Sequence, residues 1–305
     1  MSSYLLRRAA TTVPLLLAIV VISFLFMRMA PGGPFDLDQE LDPVVRANLE
    51  AHYGLDQPLL TQLGLYLRGL LAGDLGPSFK YTGYGVREIL AQAAPVSFVL
   101  GATALFIALL LGIPLGTLAA LHHNQRGDRL ASAVALVGIC VPNFVLGPLL
   151  VLVFVFQFGW LPVGGWGSPA QVILPAFTLG AIRAAYVARL TRTGMLDVLG
   201  QDFVRTARAK GLRERSVVLR HVLRIGLLPV LQYLGPASAS ILVGSVVVER
   251  IFSVPGLGSF FINAALNRDY TLAMGSVLIY SMLLIALNLL VDLLSRVLDP
   301  RVKLQ

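Results

Sequence analysis

The chain has 305 residues, of which 56% are hydrophobic and 13% charged, and its net charge is +8. Soluble domains carry about 25% charged residues, so this composition excludes a water-soluble protein, and lipid must solvate part of the surface. The basic residues are scattered between long apolar runs rather than gathered on one wet face, which excludes a nucleic-acid partner.

A helix needs about 20 apolar residues to cross a bilayer. Six stretches satisfy this: 9–30, 95–121, 130–158, 171–190, 227–248 and 271–294. Arg7 and Arg8 precede the first as in a signal peptide. Its apolar run is too long for a signal h-region, and no small-x-small cleavage site follows, so it is read as a retained helix. Arg28, near its outer end, is expected to snorkel. Segment 31–94 comes next and opens on the turn PGGP at 31–34. Asp42 is placed to cap a helix with Pro43 at its first position and Gly54 past its end. A second helix fits 58–72, where Leu59, Leu63, Tyr66, Leu67 and Leu70 form one stripe. Gly73 stops it, and a third helix fits about 84–93. These amphipathic helices lie either on the membrane or over the outer mouth of a path.

In the third apolar stretch, Pro142 predicts a kink and Asn143 puts a polar group beside it. The single cysteine, Cys140, excludes an internal disulfide and is read as a packing residue. The fourth stretch contains Arg183. A mid-bilayer arginine costs about 2.5–3.5 kcal/mol on insertion scales, and no acidic residue within the spans is an obvious partner. Leu179 and Tyr186 share its helix face. Either Arg183 lines a water-filled path, or it snorkels inward or pairs with another subunit.

Segment 191–226 is the most basic of the chain. It reads as two short helices broken at Gly211, with Asp202 capping the first. Such a pair either lies on anionic lipid or docks a cytoplasmic partner. Residues 205–211, RTARAKG, favour docking, because they offer little apolar area to insert. In the outer segment 249–269, PGLG at 255–258 reads as a short re-entrant turn. Glu249 and Arg250 are either interface charges or headgroup contacts. With the N-terminus inside, sixteen Lys and Arg fall in inner segments against six in outer ones, which predicts both termini on the cytoplasmic side.

The chain has no GxxxxGK[ST] pattern, no HExxH and no paired catalytic groups. No catalytic residue, metal site or cofactor is expected, and any ATP hydrolysis must belong to a partner.

The stretch DFVRTARAKGLRERSVVLRHVLRIGLLPVL at 202–231 resembles the cytoplasmic loop of bacterial ABC importer permases of the peptide and nickel branch, the permeases that carry TARAKGL and a longer basic helix. Gly211 matches the family glycine, and Arg205, Thr206 and Ala207 occupy the EAA positions, of which only Ala207 fits literally. Residues 4–35, GDLGPSF at 73–79 and VVVERIFSVPGLGSFFINAALNRDY at 246–270 are similar to the same branch. GPSFKY and ALNRDY look closest to the B subunits of oligopeptide permeases, with the dipeptide permeases next.

The resemblance implies an all-α polytopic membrane protein with six transmembrane helices and the type I ABC importer transmembrane-domain fold. Its parts would be an N-terminal transmembrane helix at 1–30, an extracytoplasmic segment at 31–94, a transmembrane domain at 94–292 that includes the coupling loop 191–226, and a cytoplasmic tail at 293–305. Partners would be a second homologous permease, two cytoplasmic ATPase subunits, an extracytoplasmic peptide-binding protein, the peptide cargo and membrane lipid, in a bacterial inner membrane. Asp202, Arg205, Thr206, Ala207, Arg208, Ala209, Lys210 and Gly211 would couple to an ATPase, with Gly211 as the joint between the two short helices. Arg183, Tyr186 and Asn143 would line the translocation path, where Arg183 could meet a peptide carboxylate. Rival readings are a dipeptide, glutathione or nickel importer permease, and a stand-alone channel or secondary transporter. The last should carry mid-membrane carboxylates or an inverted repeat.

Overall fold

A computed structural model describes residues 2–29, 32–35, 43–81 and 83–298. Pro31, Asp36, Asp42 and the tail from 299 onward lie outside the described residues, as do the side chains of Arg7, Asp292 and Arg296. The predicted cap by Asp42 therefore falls outside them too. The chain divides into two compact units, Met1–Ser97 with Pro255–Ile285, and Phe98–Val254 with Ala286–Gln305.

The first unit contains α1 (Ser2–Met29), α2 (Pro43–His52), α3 (Leu59–Leu71), the start of α4 (Val86–Leu121), α12 (Leu257–Leu266) and most of α13 (Tyr270–Leu298). Gly54 and Gly73 take left-handed φ values of 65° and 75° just past α2 and α3, where the sequence predicts the stops. Tyr66, Leu67 and Leu70 of the predicted α3 stripe pack on a core of Val20, Leu75, Val86, Leu90, Leu257 and Leu272. Burial pushes the Tyr66 phenol up to about 12, because its charged form would lose water. Asp269 is fully buried and organises the neighbouring chain: Ser78 Oγ donates to it, and its Oδ1 accepts the Leu272 N–H at 3.2 Å to cap α13. The Arg28 guanidinium is half-buried. It lies over the Phe24 and Tyr270 rings at 5.5 and 5.6 Å. The helix expected at 84–93 is not separate; α4 runs from Val86 straight through Pro95, a residue that membrane helices tolerate better than soluble ones. The PGLG turn leads into α12, whose Leu257 N–H donates to Ser97 Oγ at 2.9 Å.

The second unit holds the rest of α4, α5 (Arg126–Cys140), α6 (Asn143–Val151, continued by a π-helical turn to Gln157), α7 (Pro169–Leu199), α8 (Asp202–Ala209), α9 (Glu214–Val217), a π-turn at Val218–Val222, α10 (Leu223–Gly226) and α11 (Leu228–Ile251). Among the described residues, four helices are long and apolar enough to cross a membrane singly: Ala10–Met29, Val86–Leu121, Pro169–Leu199 and Tyr270–Leu290. Six spans are reached when each of two bent pairs counts as one. The kink predicted at Pro142 within 130–158 breaks that stretch into α5 and α6, which meet at 104°. Pro142 has no N–H to continue the ladder, and it forces Val141 into an extended φ/ψ of −85°/114°. Cys140 is exposed at this break rather than packed. Glu249 is fully buried, so it is neither a headgroup contact nor an interface charge.

α7 is the central helix of this unit. Pro169 starts it, and the Ser168 N–H donates to Gln171 Oε1 at 3.0 Å. Small residues let α4 and α7 approach to backbone contact. A Cβ added at Gly180 would stand 2.6 Å from the Ala104 carbonyl oxygen, and one at Gly116 would meet the Ala188 carbonyl and, at 2.6 Å, Thr191 Cβ.

Candidate functional site

α8 is a polar helix with one apolar edge. Val204 and Ala207 are buried in a cluster with Met195 and Val198 of α7 and with Val217, Val218 and Val222. Ala207 is thus turned into the chain's own core, away from any docking partner, and what it permits is close packing of α8 on α7. At about 100° per residue, Asp202, Arg205, Thr206 and Ala209 form the opposite face, and all four are exposed. Asp202 does not cap the helix. Gln201 holds that position, and Asp202 is the first helical residue, its carboxylate 3.6 Å from Arg205. The Thr206 hydroxyl donates to the Asp202 carbonyl at 2.9 Å. Lys210 is exposed at the end of the helix.

Arg208 lies on the flank and bridges the turn, donating to both Glu214 oxygens at 3.1 and 2.6 Å. Gly211 sits between them at φ 77° with open space around it. Only its backbone conformation therefore requires glycine. Gly211→Asn should keep most activity, since Asn tolerates the left-handed region. Gly211→Val should cost about 1–2 kcal/mol of local strain. Uptake and thermal unfolding measured on both variants check this, and equal behaviour of the two removes the backbone argument.

Where α7 approaches this loop, Arg192 holds the α4–α5 turn. Its Nε and Nη2 donate to Asp128 Oδ1 and Oδ2 at 2.7 and 2.8 Å. Asp128 is 4% exposed and also accepts the Asn124 N–H at 2.9 Å and the Ser132 hydroxyl at 3.3 Å. His123 Nδ1 lies 3.1 Å from Arg192 Nη2. Asp128→Asn leaves the guanidinium without its counter-charge, and removing one partner of a buried pair costs more than removing both. The unfolding midpoint should fall further for Asp128→Asn than for Ser132→Ala, and Arg192→Gln should restore part of the loss. Additive losses would mean that the pair does not act as a unit.

On α7, Arg183 Nη1 donates to Tyr233 Oη of α11 at 3.4 Å. The Tyr186 ring stacks on Tyr233 at 5.8 Å and 29°. Among the described residues no carboxylate pairs with Arg183. Tyr233, which the sequence reading missed, therefore ties Arg183 and Tyr186 together. Its only signal in the sequence is a hydroxyl beside Gln232 in an apolar run. Asn143 sits in the first turn of α6, with Oδ1 buried and without a hydrogen-bond partner among the described residues. It makes no bond to Arg183 or Tyr186.

Residues 112–304 match the family described as binding-protein-dependent transport system inner membrane component. The oligopeptide transport system permease protein OppB of Escherichia coli K12 is 45% identical over 305 residues, covering 99% of this chain and all of that protein. The dipeptide transport system permease protein DppB of Bacillus subtilis is 41% identical over 304 residues, covering 100% of this chain and 99% of that one. Among solved structures, the inward-facing MetNI methionine ABC transporter superposes with a TM-score of 0.60 at 15% identity, over 69% of this chain and 96% of that one. An amino acid ABC transporter superposes at 0.53 and 20% identity, over 68% and 94%.

Proposed function

We propose, from the premise that this chain belongs to the family of binding-protein-dependent transport system inner membrane components, that it is the permease subunit of a peptide ABC importer and that oligopeptides are its cargo. The observation that carries this is the 45% identity, end to end, with a permease whose name states oligopeptide transport. The fold is that of ABC importer membrane domains, and the chain is an inner membrane component.

In this reading the chain does no chemistry. A second permease completes the path, two ATPases drive it and an extracytoplasmic binding protein delivers the peptide. Both termini lie in the cytoplasm, as the bias of basic residues suggests, and 94–292 forms the transmembrane domain. The exposed face of α8, Asp202–Arg205–Thr206–Ala209, seats on an ATPase. Because the other face of α8 is packed on α7 and on 217–222, a displacement of α8 moves these elements as one body and rotates α7 and α11. Purification under mild detergent should bring down two ATPases and a second permease, and vesicles holding the whole set should accumulate peptide with ATP. Uphill transport by the isolated chain would overturn the reading.

We assign Arg183, Tyr186 and Tyr233 to the path, and leave Asn143 as a separate polar group at the α5–α6 bend. Arg183 stands about 21 Å along α7 from Pro169 at 1.5 Å per residue, at hydrocarbon depth, where an unpaired guanidinium is stable only beside water or a ligand. Arg183→Leu should reduce uptake of peptides with free C-termini more than that of their amides. Equal losses for both would remove the carboxylate contact.

A further inference from the structure

A cleft of about 380 Å³ opens between α4, α5 and α7. Its wall is apolar and mostly small: Gly116, Ala119, Ala135, Ala188 and Ile139 contribute to it, while Arg189 and Arg192 stand in its lining. Arg189 lies 20 residues past Pro169, which is about 30 Å along the helix, one hydrocarbon thickness. The guanidiniums therefore sit at headgroup depth, while the wall from Ser132 to Ile139 runs about 10 Å into the hydrocarbon.

The first turn of α5 adds Arg126 and Arg129, both exposed. Arg129 precedes Ser132 and Leu136 of the cleft on the same stripe of α5. Against these four arginines stands one carboxylate, Asp128, which is committed to Arg192. Arg126, Arg129 and Arg189 have no carboxylate partner among the described residues. The cleft is also turned away from the assigned path: nine residues at about 100° each place Arg192 on the side of α7 opposite Arg183.

We propose that this cleft is a binding site for one anionic phospholipid, with an acyl chain against the small-residue wall and the headgroup phosphate on Arg129 and Arg189. A zwitterionic lipid would fill the same wall but leave the guanidiniums without net counter-charge. Basic pockets between membrane helices select anionic headgroups for this reason, with roughly a fivefold gain per basic residue.

The test uses the full-length chain purified with its partner subunits and spin-labelled phosphatidylglycerol or phosphatidylcholine with identical chains. The wild type should prefer phosphatidylglycerol. The pair Arg129→Gln with Arg189→Gln should lower that preference by roughly twenty-five-fold, at about fivefold per charge, and the pair Arg129→Lys with Arg189→Lys should retain most of it. Arg192 is left in place because it holds Asp128. Co-elution of the subunits verifies that each variant is folded and assembled. In a Cys140→Ser background, Leu136→Cys should remain open to a lipid-soluble maleimide. Equal affinity for the two lipids, a preference that survives the Gln pair, or disulfide capture of the second permease at position 136 would each overturn the site. None of these outcomes bears on whether the transporter carries peptides.

Discussion

Arg205→Glu should lower ATP-driven peptide uptake by roughly thirtyfold while leaving the chain folded. The expectation follows from where α8 places this side chain. Arg205 is exposed, among the described residues it pairs with Asp202 of the same turn at 3.6 Å, and it belongs to the outward face. Arginines at the centre of an interface contribute about 2 kcal/mol or more when removed, which is roughly thirtyfold in affinity, and a carboxylate there adds repulsion. Arg208 is the internal control. Its guanidinium is already engaged with Glu214 on the flank, and exposed pairs of this kind contribute about 0–1 kcal/mol, so Arg208→Gln should change uptake by only a few-fold. Ala207→Leu separates docking from folding. It overfills the cluster with Met195 and Val217 and should lower thermal stability by about 1–3 kcal/mol. Uptake, ATPase rate and the unfolding midpoint, measured together, check all three. A loss at Arg208 as large as that at Arg205 would mean that the outward face has been misidentified.

Gly116→Leu should prevent stable insertion of the α4–α7 pair, and Gly116→Ala alone should cost about 1–3 kcal/mol. The added Cβ would meet the Ala188 carbonyl and, at 2.6 Å, Thr191 Cβ. The first of these is backbone and cannot swing aside. Helices in lipid have no hydrophobic drive toward one another, so close packing is what holds them together, and a wedge at one contact separates the pair. Gly200→Ala is the comparison: that glycine has φ −84° and nothing within 4 Å of an added Cβ, so its effect should stay within about 0.5 kcal/mol. Thermal unfolding in detergent and protein yield in the membrane read both changes. If Gly116→Ala matched Gly200→Ala, the close approach would not be a determinant of stability.

Several features of the candidate site were legible before any coordinates. Gly211 announced a break between helices because a left-handed residue is needed there. Arg183 stood out because a charge at hydrocarbon depth is costly. Its partner was not legible. Tyr233 is 50 positions away, and a tyrosine in an apolar span looks like packing until its hydroxyl has a neighbour. The same holds for Asp128 and Arg192, 64 positions apart, each of which reads as an ordinary interfacial charge. Ala207 and Ala209 look alike in a string. Only the direction in which α8 packs turns Ala207 inward and Ala209 outward.

By itself the sequence determined that this protein lives in lipid, where its apolar runs lie and which end of each span is basic. These are sums over composition, length and charge, and they do not depend on which residues meet. Tertiary structure alone decided how far the chain bends at Pro142, by 104°, and that a basic-rimmed cleft opens away from Arg183. Those outcomes depend on the direction of side chains around each helix and on backbone approach at glycines, which packing sets and local sequence does not.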